Sequence, residues 1–490
     1  MVNSNLARAV DPAPIMEIEV NEQPVKWCSV SLSDVVSRGK RLEASVYDVE
    51  AKQARSLIYN GKHPVATVGG KDGLTTSYVC GRFKRVWVEK SDMPIFQPST
   101  IVDIKPTPDG YISKRTHTNI DALRVHKGQI LMTCSGTIGK VSFVSDTLDG
   151  KIFSHDLLRI NCIRPEDAGY IYAYLKSAVG NKILLTNSYG AVITHIEPEH
   201  LSSVPIPNAP AVIKSRINDL IIRSYGLRDE SNELIDRATE LLKEALCLPD
   251  VSEFDVDYYK KSAPVDTFSV KLSNMAGRLD ASYHVPIVDA ITAHLRKYAE
   301  EVTTVGDKRI SKEVILPMRF KRVYVDEGHG RVLFGGKQLY ELDPSGKKYL
   351  SVAKHEKLFN KLEISQNTTL ITRSGTIGKV ALVPKHWEHW IPSDHIIRVV
   401  PANNDIAGYL NIFLASDYGY QLITRFTYGS VVDEIDDTHV SNIPVPLLKD
   451  KDVQKQINDL ALEASQKRYE AYTLEQQALR IMDEEVIYAK

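Results

Sequence analysis

The sequence has few cysteines, and their spacing excludes the scaffolds that depend on cysteine. The five cysteines are odd in number, far apart and never form a Cys-x-x-Cys pair: Cys28, Cys80, Cys134, Cys162 and Cys247. A disulfide framework or a zinc knuckle needs paired, closely spaced cysteines. We therefore expect free thiols in a reducing compartment, each of them a small buried hydrophobic residue.

The sequence also lacks a long hydrophobic run and an excess of either charge. No apolar stretch reaches the ~18 residues of a membrane span, and the amino terminus lacks the apolar block of a signal peptide. Lys and Arg number 61 against 62 Asp and Glu, which gives a net charge of −1. These absences predict a cytoplasmic protein on which any surface for nucleic acid is local.

Self-similarity is the strongest signal that is present. Residues 135–141 and 374–380 both read SGTIGKV, and the offset of 239 residues persists downstream to Pro-x-Pro at 205–207 and 444–446. Upstream, RFKRVWV at 82–88 matches RFKRVYV at 319–325 with an offset of 237. A repeat of about 240 residues is too long for a solenoid unit. The sequence therefore predicts a tandem duplication of one domain and one connector.

Each repeat ends in a stretch with a heptad pattern, which predicts a long helix. About 36 helical residues span roughly 54 Å, more than a small domain needs to cover its core. We expect the two helices to pair in antiparallel orientation; a helix that lies only on its own domain is the alternative. The predicted seam is Ile213, Ile217, Leu220, Leu227, Leu234 and Leu241 in the first helix and Val453, Ile457, Leu460, Leu474 and Ile481 in the second, with small residues at 224, 231, 464 and 471.

Short β-type runs separated by Gly, Pro, Asp and Asn precede each long helix, and helical stretches follow those runs. The predicted fold class is α+β, with two tandem mixed α/β domains separated by two long helices that form an antiparallel coiled coil. The predicted boundaries are an amino-terminal tail at 1–20, a first domain at 21–209, a first long helix at 210–248, a linker at 249–266, a second domain at 267–448 and a second long helix at 449–490.

This order of motifs resembles the specificity subunit of type I restriction-modification systems. The matching features are a GTIGKV hairpin, a later Tyr-Gly, a Pro-x-Pro exit and a heptad helix, all present twice within roughly 21–490. The resemblance implies two target-recognition domains that each read half of a bipartite site in double-stranded DNA. It also implies a chain that is no enzyme and holds no cofactor or metal. Its partners would be two methyltransferase subunits, which modify adenine with S-adenosylmethionine, and restriction and motor subunits.

Two basic clusters occupy equivalent positions in the repeats. Each places three cations beside aromatic residues: Arg82, Lys84 and Arg85 in the first repeat, and Arg319, Lys321 and Arg322 in the second. Such a cluster suits contact with DNA phosphates, and arginine also recognises guanine. A solvated strand face would have a similar composition, but recurrence in register favours DNA contact.

The SGTIGKV segment is the second candidate for contact with DNA. It combines glycines with hydroxyls and a cation: Ser135, Thr137 and Lys140 in the first repeat, and Ser374, Thr376 and Lys379 in the second. Backbone amides and a lysine beside glycines are able to hold a DNA phosphate. The alternative is a β-hairpin whose glycines serve only the turn. A nucleotide-binding P-loop is excluded by the spacing and by the missing hydroxyl after the lysine.

Two further pairs of residues are candidates for the DNA surface, each with a structural alternative. His155 and His395 stand beside an aspartate in opposite order, which argues against one catalytic His-Asp geometry in both repeats. Tyr189 and Tyr428 adjoin glycines and can stack on DNA or simply pack in the protein.

Sequence discrimination is assigned to the segments in which the repeats differ most, 91–125 and 326–365. Two other functions remain open. One is a specificity component of a different methylation-associated phage-defence system, and the other is a coiled-coil assembly scaffold that does not bind DNA.

Overall fold

The computed structural model describes residues 29–37, 40–190, 194–254, 256, 267–275, 277–429 and 431–490. The predicted tail at 1–20 lies outside these residues, as do the start of the predicted first domain and most of the predicted linker. Within the described ranges, no helix is both long enough and apolar enough to cross a bilayer.

The first domain is built from short helices and strands and ends at the first long helix. Its helices are α1 (Leu32–Ser37), α2 (Val49–Tyr59), α3 (Ile120–Leu123), α4 (Ala168–Lys176), α5 (Ala178–Leu185) and α6 (Pro198–Ser202). Its strands are β1 (Val65–Thr67), β2 (Thr75–Tyr78), β3 (Trp87–Val88), β4 (Pro94–Phe96), β5 (Gly110–Ile112), β6 (Ile130–Thr133), β7 (Val141–Phe143), β8 (Ile152–Phe153), β9 (Leu157–Cys162) and β10 (Pro205–Pro207). The long helix α7 (Ala211–Ala245) follows.

The second domain repeats this plan. Its helices are α8 (Pro286–Tyr298), α9 (Val352–Leu362), α10 (Asn404–Ala415), α11 (Asp417–Thr424) and α12 (Asp437–Ser441). Its strands are β11 (Glu301–Thr304), β12 (Ser311–Ile315), β13 (Tyr324–Val325), β14 (Gly330–Phe334), β15 (Lys348–Ser351), β16 (Thr369–Thr372), β17 (Val380–Leu382), β18 (Ile391–Pro392), β19 (Ile396–Pro401) and β20 (Pro444–Leu447). The second long helix, α13 (Lys451–Ile481), continues as a π-helical segment, Met482–Ile487.

Within the described residues, each domain contains two four-stranded sheets and one two-stranded ladder. In the first domain the antiparallel order β2-β9-β6-β7 forms one sheet, and β3-β5-β4-β8, with β4 parallel to β8, forms the other. The second domain has β12-β19-β16-β17 and β13-β15-β14-β18, with β14 parallel to β18. The proline-bearing exit strands β10 and β20 pair only with β1 and β11, which fits the restriction of proline to sheet edges. The shared strand order confirms the predicted α+β fold and its duplication.

Each domain packs against the long helix that follows it. The contact is made at a glycine, where a side chain would have no space. A Cβ on Gly169 would lie 2.7 Å from the Cα of Asn218, and one on Gly408 would lie 2.3 Å from the carbonyl oxygen of Asn458. The Gly169 and Gly408 N–H groups donate to the asparagine Oδ1 atoms at 2.9 and 2.8 Å. This docking explains why Gly-Tyr recurs in both repeats.

The long helices pair in antiparallel orientation, as predicted. Their contacts run in opposite directions along the chain: Arg216 with Glu485 (2.8 Å), Ser224 with Ala471 (2.7 Å) and Glu230 with Lys467 (2.7 Å). The predicted seam residues are buried or partly buried, and the small residues at 224, 231, 464 and 471 expose no surface. The Ser224 hydroxyl donates directly to the Ala471 carbonyl, which requires the close approach that small residues permit.

Both helices contribute to both hydrophobic cores. Ile217 of α7 and Ile481 of α13 belong to the core of the first domain, whereas Leu241 of α7 and Ile457 of α13 belong to the core of the second. The bodies of the two domains therefore pack at opposite ends of the helix pair. The alternative, in which each helix lies only on its own domain, is wrong.

The first long helix ends at Ala245, short of the boundary at 248. Cys247 adopts a left-handed conformation with φ 47°, and the Leu248 N–H donates to the Lys243 carbonyl at 2.9 Å, as in a helix C-cap. The Cys247 side chain is therefore exposed, which corrects the expectation that every cysteine is buried.

The remaining described cysteines also differ from one another in burial. Cys134 is buried, whereas Cys80 and Cys162 are partly exposed, and none of these described cysteines forms a disulfide. Cys28 lies outside the described residues.

The two domains also touch each other directly, which the sequence did not predict. The loop between β4 and β5 meets the loop between β14 and β15, where Asp103 and Glu341 form an antiparallel bridge. The Ile104 N–H donates to the Tyr340 carbonyl at 2.9 Å. The helix pair therefore separates the domain bodies while these two loops join them.

Candidate nucleic-acid interface

A cleft of about 840 Å³ lies between the two domains, and both domains line it. Its walls include the β4–β5 and β14–β15 loops and the hairpin loops that carry the two SGTIGK sequences. The cleft brings together six predicted site residues from distant parts of the chain: Ser135, Thr137, Lys140, Arg322, Lys379 and His395.

The structure adds cleft residues that the sequence analysis did not single out. Ser99 and Thr100 line the cleft from the first domain, and Lys337 and Lys348 line it from the second. All four lie within the divergent segments 91–125 and 326–365. The divergence located the region, but the individual residues could not be chosen because no repeated motif marks them.

Charged residues from both domains meet where the loops touch. Lys140 Nζ lies 2.6 Å from Glu341 Oε1, and the Glu341 side chain is buried. Lys140 is thus paired within the protein in this structure, and its contact with a DNA phosphate stays a prediction. Burial raises the pKa of Asp103 to about 7, with Glu341 adding to the rise and Lys379 and Lys140 opposing it. Lys379 Nζ lies 5.1 Å from the centre of the Tyr340 ring.

The hairpin loops use their backbone amides within the protein. Gly136 and Gly139 both have positive φ, and their N–H groups donate to the carbonyls of Thr194 and Thr133. The Lys140 N–H donates to Thr133 Oγ1 at 3.0 Å. In this structure these three amides are therefore not available to a phosphate, and the glycines serve the hairpin geometry. The hydroxyl of Thr137 remains exposed.

The first basic cluster lies in the irregular segment between β2 and β3, not on a strand face. Arg82 and Lys84 are exposed, and neither has an ion-pair partner among the described residues. The Arg85 guanidinium packs between two aromatic rings, 5.7 Å from Phe83 and 5.9 Å from Trp87. Aromatic and basic side chains together form a surface suited to a phosphate backbone and its bases.

The second basic cluster has the equivalent position before β13, but two of its cations form ion pairs. Asp394 is buried and forms ion pairs with Arg322 and, at 3.5 Å, with Arg319. Arg319 also lies 3.7 Å from Glu434. These two arginines are therefore partly neutralised within the protein, whereas Lys321 is exposed, and contact of the cluster with DNA stays a prediction.

The two histidines differ because their order with aspartate is reversed. His155 is partly buried with its ring 5.8 Å from Phe83, and burial lowers its pKa, as do Arg85 and Arg82, against the raising effect of Asp156. His395 instead faces the cleft, with Nδ1 2.6 Å from the Ser374 hydroxyl. Only His395 is thus placed to contact a ligand of the cleft.

The tyrosines and Thr376 lie outside the residues that line the cleft. The Tyr189 hydroxyl donates to Glu197, and its ring packs 5.2 Å from His200. Tyr428 packs in the same way at 5.4 Å from His439, and both tyrosine side chains are partly exposed. The Thr376 side chain is exposed, and its carbonyl accepts a hydrogen bond within the hairpin.

Comparison with known protein families identifies the second domain. Residues 337–461 match the type I restriction modification DNA specificity domain. The match extends from the cleft residue Lys337 through β15–β20 into α13. No match was found among curated proteins.

Three solved structures are similar over most of the chain at low identity. A type I restriction-modification S subunit from M. genitalium is 14% identical, covering 88% of this chain and 96% of that one, with a TM-score of 0.33. The HsdS subunit from Thermoanaerobacter tengcongensis is 13% identical, covering 85% and 98%, with a TM-score of 0.27. A chain from a type I R-M system whose complex assembly was determined is 15% identical, covering 88% and 99%, with a TM-score of 0.27.

The first domain reproduces the strand order, hairpin loop and helix docking of the second domain. Two domains of one fold thus share a helix pair and a cleft. The second domain is therefore similar to the type I restriction modification DNA specificity domain, and the first domain repeats its fold.

Proposed function

We propose that each domain reads one half of a bipartite DNA target, and that the chain directs partner methyltransferase subunits to that target. The observation that carries this proposal is the cleft, because equivalent hairpin loops of both domains line it. The two halves of the cleft differ in the segments 91–125 and 326–365, so they would read different bases.

The polar groups of the cleft suit DNA. Hydroxyls of Ser99 and Thr100 face lysines 337 and 348, and all of these except the partly buried Thr100 are exposed. Hydroxyls and lysines bond both to phosphates and to base edges in a groove. The antiparallel helix pair would fix the distance between the half-sites because a paired helix is stiff and of defined length.

The chemistry belongs to partners in this proposal. The chain would contribute recognition alone, without catalysis, and two adenine methyltransferase subunits would bring S-adenosylmethionine. The pseudo-twofold relation of the two domains about the helix pair suits two copies of one partner. Restriction and motor subunits would join the same assembly.

Methylome sequencing of variants in each half of the cleft tests the proposal for one half-site at a time. The double variant Ser99→Ala/Thr100→Ala should alter methylation specificity at one half of the motif only. Lys337→Gln/Lys348→Gln should alter the other half. Loss of a direct base contact reduces discrimination against the wrong base by about 1–3 kcal/mol. Single positions of the methylated motif should therefore accept additional bases.

The variants would be co-expressed with the methyltransferase in a host that lacks other methylation of the same motif. Lys71→Gln, an exposed lysine that does not line the cleft, serves as the matched control and should leave the motif intact. The proposal would be contradicted if both double variants left the methylated motif unchanged, or if methylation occurred without this chain.

A further inference from the structure

The two repeats differ at one buried position in a way that points to a ligand. Where the helix pair contacts the first domain, the Glu475 carboxylate of α13 is fully buried against α4 and α7. It lies 3.0 Å from Arg228 and 2.9 Å from Lys176, and it accepts a hydrogen bond from the Tyr172 hydroxyl at 2.5 Å. Burial would raise the pKa of Glu475, but the two cations outweigh it and hold the pKa at about 2. Every charge in this network has a partner.

The docking of each domain on its long helix fixes which residues correspond in the second repeat. Gly169 and Gly408 set the offset between α4 and α10 at 239, and Asn218 and Asn458 set the offset between α7 and α13 at 240. Arg228 therefore corresponds to Arg468.

The partners of this arginine are absent from the second repeat. Glu475 corresponds to Ile235 across the helix pair, Tyr172 corresponds to Asn411, and Lys176 corresponds to Ala415. The arginine is thus retained, while its carboxylate and the neighbouring aromatic side chain are replaced by smaller or apolar groups.

Arg468 consequently lacks a counter-ion. Among the residues that the structure describes, no carboxylate lies within ion-pair distance of Arg468, whose Nε donates to the Ser231 hydroxyl at 3.2 Å. Burial alone lowers its pKa to about 10, so it stays charged at neutral pH. Asn411 is buried, and its Nδ2 has no hydrogen-bond partner among the described residues. A partly buried cation without a counter-ion and a buried, unsatisfied amide donor are costly unless something accepts from them.

A cavity of about 320 Å³ occupies the place of the missing side chains. Ile235, Asn411, Ala415 and Arg468 all line it, together with Trp387 and Tyr340. The other cations of the wall are already paired, Lys105 with Asp236 and Lys243 with Asp250. The wall also carries Glu341, paired with Lys140, and Asp417, in the first turn of α11.

We propose that this cavity binds a small aromatic carboxylate, whose carboxylate pairs with Arg468 and Asn411 and whose ring packs on Trp387. The chemistry follows from what the second repeat lacks relative to the first, namely the Glu475 carboxylate and the Tyr172 ring. The ligand would also touch the first domain, because Ile104 and Lys105 line the same cavity. This site adjoins the cleft, with which it shares Glu341, and it does not depend on the proposed DNA function.

Calorimetric titration of the purified full chain tests the proposal. The probe is 4-hydroxyphenylacetate, and its uncharged amide, 4-hydroxyphenylacetamide, is the matched ligand control. Saturable binding of the carboxylate, at least tenfold tighter than that of the amide, is expected. Quenching of tryptophan fluorescence should follow the same isotherm because Trp387 lines the cavity.

Two variants locate the site. Arg468→Met removes the cation, and Ile235→Glu supplies the carboxylate that the first repeat has; each should weaken binding at least tenfold. Ile235→Glu should also raise the thermal unfolding temperature, which shows that the variant is folded and that its new carboxylate pairs with Arg468. Ile222→Glu makes the same substitution at an exposed position of α7 and should leave binding unchanged.

Three results would overturn the proposal: no saturable binding of the carboxylate to the wild-type chain, equal binding of the amide, or binding that survives both Arg468→Met and Ile235→Glu.

Discussion

The two halves of the chain share one fold but differ in which of their arginines are paired with a carboxylate. In the first half the buried arginine, Arg228, is paired, and the exposed Arg82 has no partner among the described residues. In the second half the partly buried Arg468 has no counter-ion among the described residues, whereas Arg319 and Arg322 form ion pairs with Asp394. Duplication has therefore kept the residues that fix the backbone and changed those that set the charge. The fold and its binding properties vary independently.

Breaking the buried network of the first half should have the largest effect. Glu475→Gln leaves Arg228 and Lys176 buried without a carboxylate, and loss of one partner from a buried pair costs about 3–5 kcal/mol. Urea unfolding should report this loss. Arg468→Met, the corresponding change in the second half, should cost far less because no ion pair is broken. Equal losses in the two variants would mean that the halves do not differ in this way.

The same network predicts a pH dependence. The folded-state pKa of Glu475, about 2, lies below the unfolded value near 4.5, so its contribution to stability is present above pH ~4.5. That contribution is lost as the pH falls from about 4.5 through 2. Unfolding free energies measured across this range should decline less steeply in Glu475→Gln than in the wild-type chain.

The repeats and helices could be predicted because their signals lie in short segments of the chain. The twin SGTIGKV segments and the heptad seams required only period and composition, and the structure places them as a hairpin loop and a helix pair. The charge state of the site could not be predicted. Lys140 pairs with Glu341 some 200 residues away, and Glu475 pairs with Arg228 across the helix pair. Such pairs depend on how the domains pack.

The junction between the domains offers the next largest effect. Asp103 and Glu341 are partners in one bridge, but Glu341 has Lys140 at 2.6 Å while burial raises the pKa of Asp103 to about 7. A carboxyl with a raised folded-state pKa binds its proton more tightly in the native state, so stability should fall as the pH rises from about 4 to 7. Asp103→Asn should remove this decline, worth up to about 4 kcal/mol, since one pKa unit corresponds to about 1.4 kcal/mol.

Unfolding of wild type and Asp103→Asn at pH 5 and pH 7.5 measures that difference. Asp109→Asn, another carboxyl of the β4–β5 loop whose pKa is also raised by burial but which does not form the bridge, is the control. If Asp103→Asn had the same pH dependence of stability as the wild type, Asp103 would not be the cause of the decline.

The basic clusters should differ in their contribution to DNA binding. Arg82→Gln removes a free cation and should reduce the slope of log K against log salt by about 1, with uniform weakening across sequences. Arg322→Gln should reduce the slope by less, because Asp394 already neutralises that guanidinium. Fluorescence anisotropy with random duplex DNA between 50 and 200 mM salt compares the two, and equal slopes would remove the distinction between the clusters.

The smallest expected effect comes from making the second cluster resemble the first. Asp394→Asn removes the carboxylate that holds Arg319 and Arg322, so both become available to phosphates, and non-specific DNA affinity should rise about two- to threefold at low salt. Asp156→Asn is the matched control, since this carboxylate is partly exposed and forms no arginine pair among the described residues. A rise in both variants would indicate a general effect of lowered negative charge, whereas a rise in Asp394→Asn alone would show that this one carboxylate sets the difference between the two surfaces.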